Sequence, residues 1–216
     1  MNHIDRAKTL IEAFCIESSE YVALRDSAAF RVSGTGCANS IYVKSQTSKA
    51  RFAINFNEAN NCRIFIDDDV RGRISIAFRE DNSTVYIGRH CLLQELVIKS
   101  MQENDLIAVG SYVTTAGKNT WISGNGAGNA TPAIIIGDDC MFSHDVVIRN
   151  SDAHPVFDRT TDQQINQPIA SVCLEPHVWI GEQVSILKSV TIGAGSIVAL
   201  GSVATKAAPR LSVAKG

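Results

Sequence analysis

The chain has 216 residues, of which 45% are hydrophobic and 19% are charged, and its formal net charge is −2. This length suits one domain with an appended piece rather than two full domains. No dense run of Lys or Arg occurs, so the charge balance indicates neither a nucleic-acid partner nor an anionic membrane, and we expect a small or neutral acceptor molecule instead.

Residues 1–27 form a predicted helical segment. Apolar residues recur there at spacings of three and four, which is typical of an amphipathic helix, with Asp5, Lys8 and Glu12 on the other side. These charges interrupt any apolar run, so we expect neither a signal peptide nor a membrane span. The apolar positions are Ile4, Ala7, Leu10, Ile11 and Phe14.

The six cysteines lie far apart in sequence and include no C-x-x-C pair. This spacing disfavours a zinc knuckle or a redox motif, and we expect no bound metal. Cys91 and Cys140 occupy small, inward positions of a repeat described below, so we expect them to be buried structural thiols. Reduced cysteines are consistent with a cytoplasmic protein.

The middle of the chain is predicted to be β-rich. Between residues 28 and 107 the segments have β-like composition, but their register wanders, which indicates insertions or bulged corners. Two polar interruptions follow, and we expect both to leave the regular structure as loops. The first runs from Asn119 to Pro132 and contains Trp121 and three glycines; the second runs from Asn150 to Pro168 and contains His154.

A six-residue unit repeats between Val178 and Lys206. Aliphatic or small residues fall in pairs two apart, so both members of a pair point to the same face of a strand, and the residues between pairs allow the chain to turn. Short periods of this kind predict a parallel β-helix, here of roughly nine coils with three sides each. The pairs are Val178/Ile180, Val184/Ile186, Val190/Ile192, Ser196/Val198 and Ser202/Ala204.

Flat sides of such a prism tend to be covered, and we expect three copies to pack side by side in a closed ring.

Three segments of the chain resemble the left-handed β-helix hexapeptide acyltransferases, most closely the sugar and capsular polysaccharide O-acetyltransferases. They are Ile136 to Val156, Pro176 to Gly181 and Gly201 to Lys206. The resemblance implies an all-β, left-handed parallel β-helix over residues 28–216, with a short N-terminal helix and a protruding catalytic loop at about 150–170.

In that family the histidine of the H-P dipeptide in this loop is the catalytic base, which here is His154. An imidazole with a pKa near neutrality can accept the proton of a sugar hydroxyl as the hydroxyl attacks a thioester. We expect Asn150 or Asp152 to orient the ring and to contact the acceptor. The family also places a functional tryptophan at the position of Trp179, which we expect to face outward, towards the thioester arm or the developing oxyanion.

The resemblance implies acetyl-CoA as the donor, lying along the C-terminal coils. Leu200 replaces the small alanine usual in the family, which narrows the expected pantetheine channel, and the sequence ends before the family's short proline-containing tail. A homotrimer with active sites between subunits is also implied. The residues expected at the CoA site are Gly181, Leu200, Gly201, Ser202, Thr205 and Lys206.

Three alternatives to an O-acetyltransferase, and one alternative mechanism for it, are considered at this point. An N-acyltransferase acting on an amino sugar or a drug would use the same base. A metal-dependent hydratase shares this fold, but His144, His154 and His177 lack a close pair spaced for zinc. A β-helix that serves only as a scaffold would bind no CoA. A route through Cys173 as nucleophile is disfavoured because it has no nearby base in sequence.

Overall fold

The computed structural model describes residues 20–24, 28–44, 49–124, 133–166 and 170–215. Within these ranges the chain forms twenty β-strands and no α-helix. The strands are β1 (Val22–Ala23), β2 (Phe30–Ser33), β3 (Ser40–Val43), β4 (Lys49–Asn55), β5 (Arg63–Ile66), β6 (Arg71–Phe78), β7 (Thr84–Ile87), β8 (Leu92–Ser100), β9 (Leu106–Val109), β10 (Thr114–Ser123), β11 (Ala133–Ile136), β12 (Met141–Phe142), β13 (Val146–Arg149), β14 (Val172–Leu174), β15 (Trp179–Ile180), β16 (Ser185–Ile186), β17 (Thr191–Ile192), β18 (Ile197–Val198), β19 (Val203–Ala204) and β20 (Val213–Ala214).

The strands stack into a coil with parallel pairing. One sheet has the order β1-β3-β5-β7-β9-β11-β14-β17, and we call it the eight-stranded sheet. A long column runs β2-β4-β6-β8-β10-β12-β15-β18-β20, and a short column, β13-β16-β19, begins on the second half of β10. Every pairing between named strands is parallel except that of β1 with β3. The predicted all-β parallel β-helix is therefore confirmed, and the nine strands of the long column match the nine coils expected.

The number of residues per coil changes along the chain, which is why the six-residue repeat is not kept in the N-terminal half. Successive strands of the long column begin at Lys49, Arg71, Leu92 and Thr114, whereas two later strands of the same column begin at Trp179 and Ile197. The early coils are therefore longer than the C-terminal ones, and their length is nearly constant. The irregularity expected between residues 28 and 107 is confirmed, because the register between β6 and β8 shifts between Gly72 and Ile74. A second shift, between Thr115 and Lys118, lies beyond that range.

Alternating burial along each strand produces one continuous core. In β4 the burial alternates residue by residue, and Ile54 stacks on Ile76, Ile98 and then Trp121 of the following coils. The Trp121 ring is fully buried and lies 5.0 Å, centroid to centroid, from that of Phe142. Such a stack removes apolar surface from water over the whole length of the coil.

The loop predicted from Asn119 to Pro132 is wrong for residues 119–123. These residues are the second half of β10, with Asn119, Trp121 and Ser123 pointing inward. The nearby glycines indicated a loop, but the Trp121 side chain fits between Ile98 and Ile148 in the stack, so the strand continues. Residues 125–132 of that prediction lie outside the described residues.

Corners with a left-handed backbone connect the sides. Asp69, His90, Tyr112, Asp139 and His177 all have φ between 51° and 61° and follow one another along the same edge, where each backbone N–H after the first donates to the coil before it. Two of these corner residues are histidines, and each of their rings lies beside an aspartate of a neighbouring corner. His90 Nδ1 lies 3.3 Å from Asp69, and His177 Nδ1 lies 2.7 Å from Asp139, with both rings well exposed.

The outer side of the eight-stranded sheet is also buried. Ala108, Ile135 and Cys173 point away from the coil interior, yet they are at most 1% exposed within this single chain. At the N-terminal end, β1 lies inside the predicted helical segment 1–27 and is a strand, because its backbone pairs with Tyr42 and Val43 of β3. The predicted helical positions from Ile4 to Phe14 lie outside the described residues.

The prediction of buried structural thiols is confirmed for Cys91 and Cys140. Each is 1% exposed, and burial raises the pKa of both thiols to about 12. A thiol with so high a pKa carries almost no reactive thiolate at neutral pH. Both residues therefore act as small apolar side chains of the core.

Candidate active site

The chain leaves the coil between Asn150 and Ala170 and returns to it through a closed neck. The Ala170 N–H donates to the Asn150 carbonyl at 3.0 Å, which ties the two ends of the excursion together. Further out, Phe157 and Gln164 form an antiparallel bridge, and the Ile165 N–H donates to Val156 at 2.8 Å. The described residues 150–166 of the excursion thus form a short hairpin held by its own backbone, and we call the stretch between 150 and 170 the His154 loop.

Asn166 fixes the backbone on both sides of His154, which is itself exposed. Its Nδ2 donates to the His154 carbonyl at 3.0 Å and to Asp152 Oδ2 at 2.9 Å, while its Oδ1 accepts from the Val156 N–H at 2.8 Å. Three bonds from one side chain span residues 152 to 156. Sequence reasoning missed Asn166, because an asparagine in a polar loop carries no distinguishing signal.

Asp152 is held by a lysine from the neighbouring coil. Lys188 Nζ forms an ion pair with the same Oδ2 that Asn166 contacts. Partial burial raises the pKa of Asp152, but the hydrogen bonds from Lys188 and Asn166 and the charges of Lys188 and Arg149 outweigh burial, so the pKa lies below its usual value. Asp152 is therefore a carboxylate at neutral pH, and its contacts attach the loop to the coil rather than orient the His154 ring.

A buried polar chain anchors the neck of the loop. Asn150 is fully buried; its Oδ1 accepts from the Gly124 N–H and its Nδ2 donates to Ser123 Oγ, both at 2.9 Å. The Ser123 hydroxyl in turn donates to Asp105 Oδ1 at 3.0 Å. A contact between Asn150 and the acceptor, as expected from the sequence, would require these buried bonds to break.

Asp105 is a carboxyl group enclosed by donors. It is 2% exposed, and its Oδ2 accepts from the Met101 N–H at 2.9 Å and from the Gln102 N–H and Ser100 Oγ at 3.1 Å each. Burial raises its pKa to about 6 even though these hydrogen bonds favour the charged form. The anchor of the His154 loop therefore ends in a group that titrates near neutrality.

Trp179 faces outward from β15, as expected. Its side chain is 46% exposed, and it lies between the outward residues Met141 and Ile197 of the adjacent strands. The His154 loop leaves the opposite corner of the coil, between the short column and the eight-stranded sheet. No contact between His154 and Trp179 is recorded in the part of the chain that the structure describes.

The residues expected at the CoA site lie on two neighbouring coils and differ in their exposure to solvent. Gly181 and Leu200 stack directly, because a Cβ on Gly181 would lie 2.6 Å from the Leu200 backbone nitrogen. Leu200 is 70% exposed, and Gly201 has φ of +70° with open space around it. Thr205 and Lys206 are exposed farther along, whereas the Ser202 side chain is buried. The corner at Gly181 and Leu200 is therefore open to solvent, and we call this surface the Gly181–Leu200 ledge.

Comparison with known proteins shows what the chain is similar to. No family model matches the chain. It is 32% identical over 118 residues to the polysialic acid O-acetyltransferase of Escherichia coli O1:K1 / APEC, covering 53% of this chain and 37% of that protein. It is 31% identical over 123 residues to the polysialic acid O-acetyltransferase of Neisseria meningitidis, covering 50% and 57%. Both of these matched proteins are polysialic acid O-acetyltransferases.

The fold agrees with these relatives. The crystal structure of the polySia-specific acetyltransferase NeuO superimposes with a TM-score of 0.75 at 29% identity, over 89% of this chain and 79% of that chain. The resemblance to left-handed β-helix O-acetyltransferases of capsular polysaccharides is confirmed by these matches. The chain spans less than two thirds of the length of both O-acetyltransferase relatives.

Two kinds of structural feature are absent from the described residues. Within those ranges no three His, Cys, Asp or Glu side chains are grouped closely enough to hold a metal ion. In the same ranges no helix is long and apolar enough to cross a membrane.

Proposed function

We propose that this chain is an acetyl-CoA-dependent O-acetyltransferase that modifies a hydroxyl of a surface polysaccharide, capsular or O-antigen, or of its precursor. The observation that carries the proposal is the His154 loop, in which Asn166 and the buried Asn150 hold a short segment that presents an exposed histidine. The O-acetyltransferase relatives support the reaction class, and their printed acceptor makes polysialic acid the first polymer to test.

The proposed reaction is a direct transfer. A ring nitrogen of His154 accepts the proton of the sugar hydroxyl while the hydroxyl oxygen bonds to the thioester carbonyl carbon. Collapse of the tetrahedral intermediate breaks the C–S bond, and the CoA sulfur takes the proton from the imidazolium. Cys173 is 1% exposed, so a covalent route through its thiol has no access to the donor.

Trp179 and the Gly181–Leu200 ledge form the donor side of the proposal. The exposed indole packs on the thioester arm of acetyl-CoA or donates its N–H near the developing oxyanion. Gly181, Leu200, Gly201 and the backbone at Ser202 line the pantetheine, and Thr205 and Lys206 approach the nucleotide end. Acetyl-CoA as donor is also the reason to propose a cytoplasmic location.

The active site is proposed to lie between subunits of a homotrimer. His154 lies on a loop at one corner of the coil and Trp179 faces outward from β15 on the side opposite that corner, so a neighbouring copy can bring the two side chains together. Mixing His154→Ala with Trp179→Ala subunits tests this: random trimers should regain roughly a quarter of wild-type activity, because one interface in four pairs an intact histidine with an intact tryptophan. No recovery, with subunit exchange verified, contradicts the shared site.

The deciding assay measures CoA release from acetyl-CoA in the presence of polysialic acid, neutral polysaccharides, free sugars and amino sugars. Wild-type protein is compared with His154→Ala and with His177→Ala, an exposed histidine at a coil corner. We expect release with a saccharide for wild type and His177→Ala, and a loss of at least about 100-fold for His154→Ala. Acetylation of an amine instead favours the N-acyltransferase. Absence of turnover together with absence of CoA binding in calorimetry favours the scaffold.

A further inference from the structure

The coil collects basic side chains that are far apart in sequence. The strands of the long and short columns carry eight basic residues and one acidic residue, although the whole chain has 20 basic and 22 acidic residues. Strand pairing brings residues of successive coils side by side, as with Arg51 and Arg73, so no basic run is needed in sequence. The residues are Arg31, Lys49, Arg51, Arg71, Arg73, Glu95, Lys99, Lys118 and Arg149.

Six of these residues form what we call the basic face: Arg31, Arg51, Arg73, Lys99, Lys118 and Arg149. Five of them point outward, because they alternate with buried side chains along their strands, and Arg31 is exposed on β2. Lys49 and Arg71 are left out since both contact Asp69 at the adjoining corner. Glu95 reaches Arg73 at 3.8 Å, but an exposed pair of this kind contributes little.

A shallow groove follows this face. It has a volume of about 310 Å³ and a floor of small side chains, among them Ala53, Ser75 and Ala77. Arg31 and Lys99 line the groove, and Arg51 and Arg73 stand two residues before Ala53 and Ser75 on the same strands. Val32 and Val97 also line the groove, so an extended chain would contact apolar surface along the groove and the cations beside it.

The groove leads towards the His154 loop. Ser33, Asn55, Ala77 and Lys99 are successive partners across β2, β4, β6 and β8, and the same line continues through β10 to Arg149. At about 4.8 Å per strand this path is on the order of 24 Å long. Arg149 immediately precedes the loop, and its Nε is buried with no hydrogen-bond partner recorded among the described residues.

Charge and shape discriminate between the occupants of this face. A second copy of the chain that docked through its own basic face would bring two sets of like charges together, which is unfavourable. Single-stranded nucleic acid is bound through aromatic stacking, but the aromatic rings of the described strands of this face point into the core: Phe30, Phe52, Phe78 and Trp121. The adjoining corner carries Glu58, Glu80, Asp81 and Glu103, which would keep an anionic chain on the face.

We propose that the basic face binds a long anionic polysaccharide and leads it to the His154 loop. This inference rests on the proposed function in that the bound polymer is also the acceptor. It replaces the expectation of a small or neutral acceptor, which depended on the absence of a basic run in the sequence. The face would make long chains better substrates than short oligomers, because only a long chain reaches from Arg31 to Arg149.

The test neutralises the face and compares it with an equal change elsewhere. The face variant is Arg51→Gln/Arg73→Gln/Lys99→Gln, and the control is Arg63→Gln/Arg89→Gln/Lys215→Gln, which removes three exposed charges from other surfaces. Anisotropy of fluorescently labelled long polysialic acid reports binding at low and high salt. We expect the face variant to bind at least about tenfold more weakly at low salt, and the control to match wild type.

Turnover separates this inference from the proposed function. In the acetyl-CoA assay, the ratio of kcat/KM for long polysialic acid to that for short oligomers should fall about tenfold in the face variant and stay constant in the control. Equal losses in the two variants, or RNA bound as tightly as polysialic acid by wild type, overturn the basic face. Binding without turnover on any acceptor leaves the face in place and contradicts the O-acetyltransferase.

Discussion

The side-chain amide of Asn166 donates a hydrogen bond to the backbone carbonyl of His154 at 3.0 Å. The bond crosses the hairpin, so it joins the two arms of the His154 loop at the residue that is proposed to act as the base. The same amide also reaches Asp152, which Lys188 ties to the coil. Asn166 is therefore a positioning residue for His154.

Replacement of Asn166 should lower turnover without unfolding the protein. In Asn166→Ala the segment from Asp152 to Val156 loses three hydrogen bonds, and we expect kcat to fall about tenfold because the imidazole samples more orientations. KM for acetyl-CoA should not change, because the ledge at Leu200 is on another corner. The steady-state assay with Gln163→Ala, an exposed residue of the same hairpin, is the control.

The two kinetic constants distinguish positioning from general damage. A loss confined to kcat, with an unchanged thermal midpoint, is expected for a surface loop whose neck remains closed by Asn150 and Ala170. An equal loss in Gln163→Ala would show that the hairpin as a whole, and not Asn166, sets the rate.

Asp105 should make folding stability depend on pH. Its pKa is raised from 3.8 to about 6 in the folded chain, so between these values the folded state binds more protons than the unfolded state. The contribution of Asp105 is therefore most favourable below about pH 4 and is lost as the pH rises through about 6. A shift of about two pKa units corresponds to about 3 kcal/mol of unfolding free energy.

The variant Asp105→Asn isolates this effect. An asparagine can accept from the Met101 and Gln102 N–H groups and donate to Ser123, so the buried chain to Asn150 is kept without the charge. Urea unfolding of both proteins from pH 4 to pH 8 gives the difference in unfolding free energy. We expect the unfolding free energy of the variant to increase relative to that of wild type as the pH rises towards and through 6. A difference that stays constant with pH would contradict the raised pKa of Asp105.

Local patterns predicted the regular part of the fold and failed where contacts between coils decide. The six-residue repeat predicted the C-terminal coils, and the alternation around Val178 and Ile180 predicted the outward Trp179. The sequence pattern predicts a loop at Trp121. The prediction fails because the burial of Trp121 depends on Ile98 and Ile148, which lie on the coils before and after it. Pattern reading finds periodicity within a segment but not the neighbours that a coil brings above and below.

The candidate site shows the same division. The motif indicates His154 as the base, which stays a prediction, and it indicates Asn150 as a residue of the open site, whereas Asn150 is buried. Its actual partners, Gly124 and Ser123, belong to the coil before it. The basic face could not be predicted for a related reason, since Arg51 and Arg73 lie on different coils and become neighbours only through the pairing of β4 with β6.

Two glycines of the C-terminal coils should differ in their tolerance of a methyl group. A Cβ at Gly181 would lie 2.6 Å from the Leu200 nitrogen, 2.9 Å from its Cα and 2.9 Å from the Val198 oxygen, all of them backbone atoms that cannot move alone. We expect Gly181→Ala to lower the unfolding free energy by about 1–3 kcal/mol and to disturb the ledge at Leu200.

Gly201→Ala is the matched control for this prediction. Its φ of +70° strains an alanine, at a cost of roughly 1–2 kcal/mol, but no atom lies within 4 Å of the new Cβ. Thermal unfolding and the KM for acetyl-CoA are measured for both variants. We expect Gly181→Ala to have the lower thermal midpoint, and both variants to raise KM because both glycines are proposed to line the pantetheine. A lower thermal midpoint for Gly201→Ala would exclude steric crowding at Leu200 as the main effect.

The two tryptophans provide the clearest separation of stability from activity. Trp121 is fully buried between coils, and truncation to alanine leaves a cavity that should cost about 3–5 kcal/mol. Trp179 is 46% exposed, so Trp179→Ala should change the thermal midpoint little while kcat/KM with acetyl-CoA falls at least about tenfold. Thermal unfolding and the CoA-release assay, applied to both variants, check the pair. A Trp179→Ala protein that unfolds as early as Trp121→Ala would show that the outward indole stabilises the coil, and its loss of activity would then say nothing about the donor.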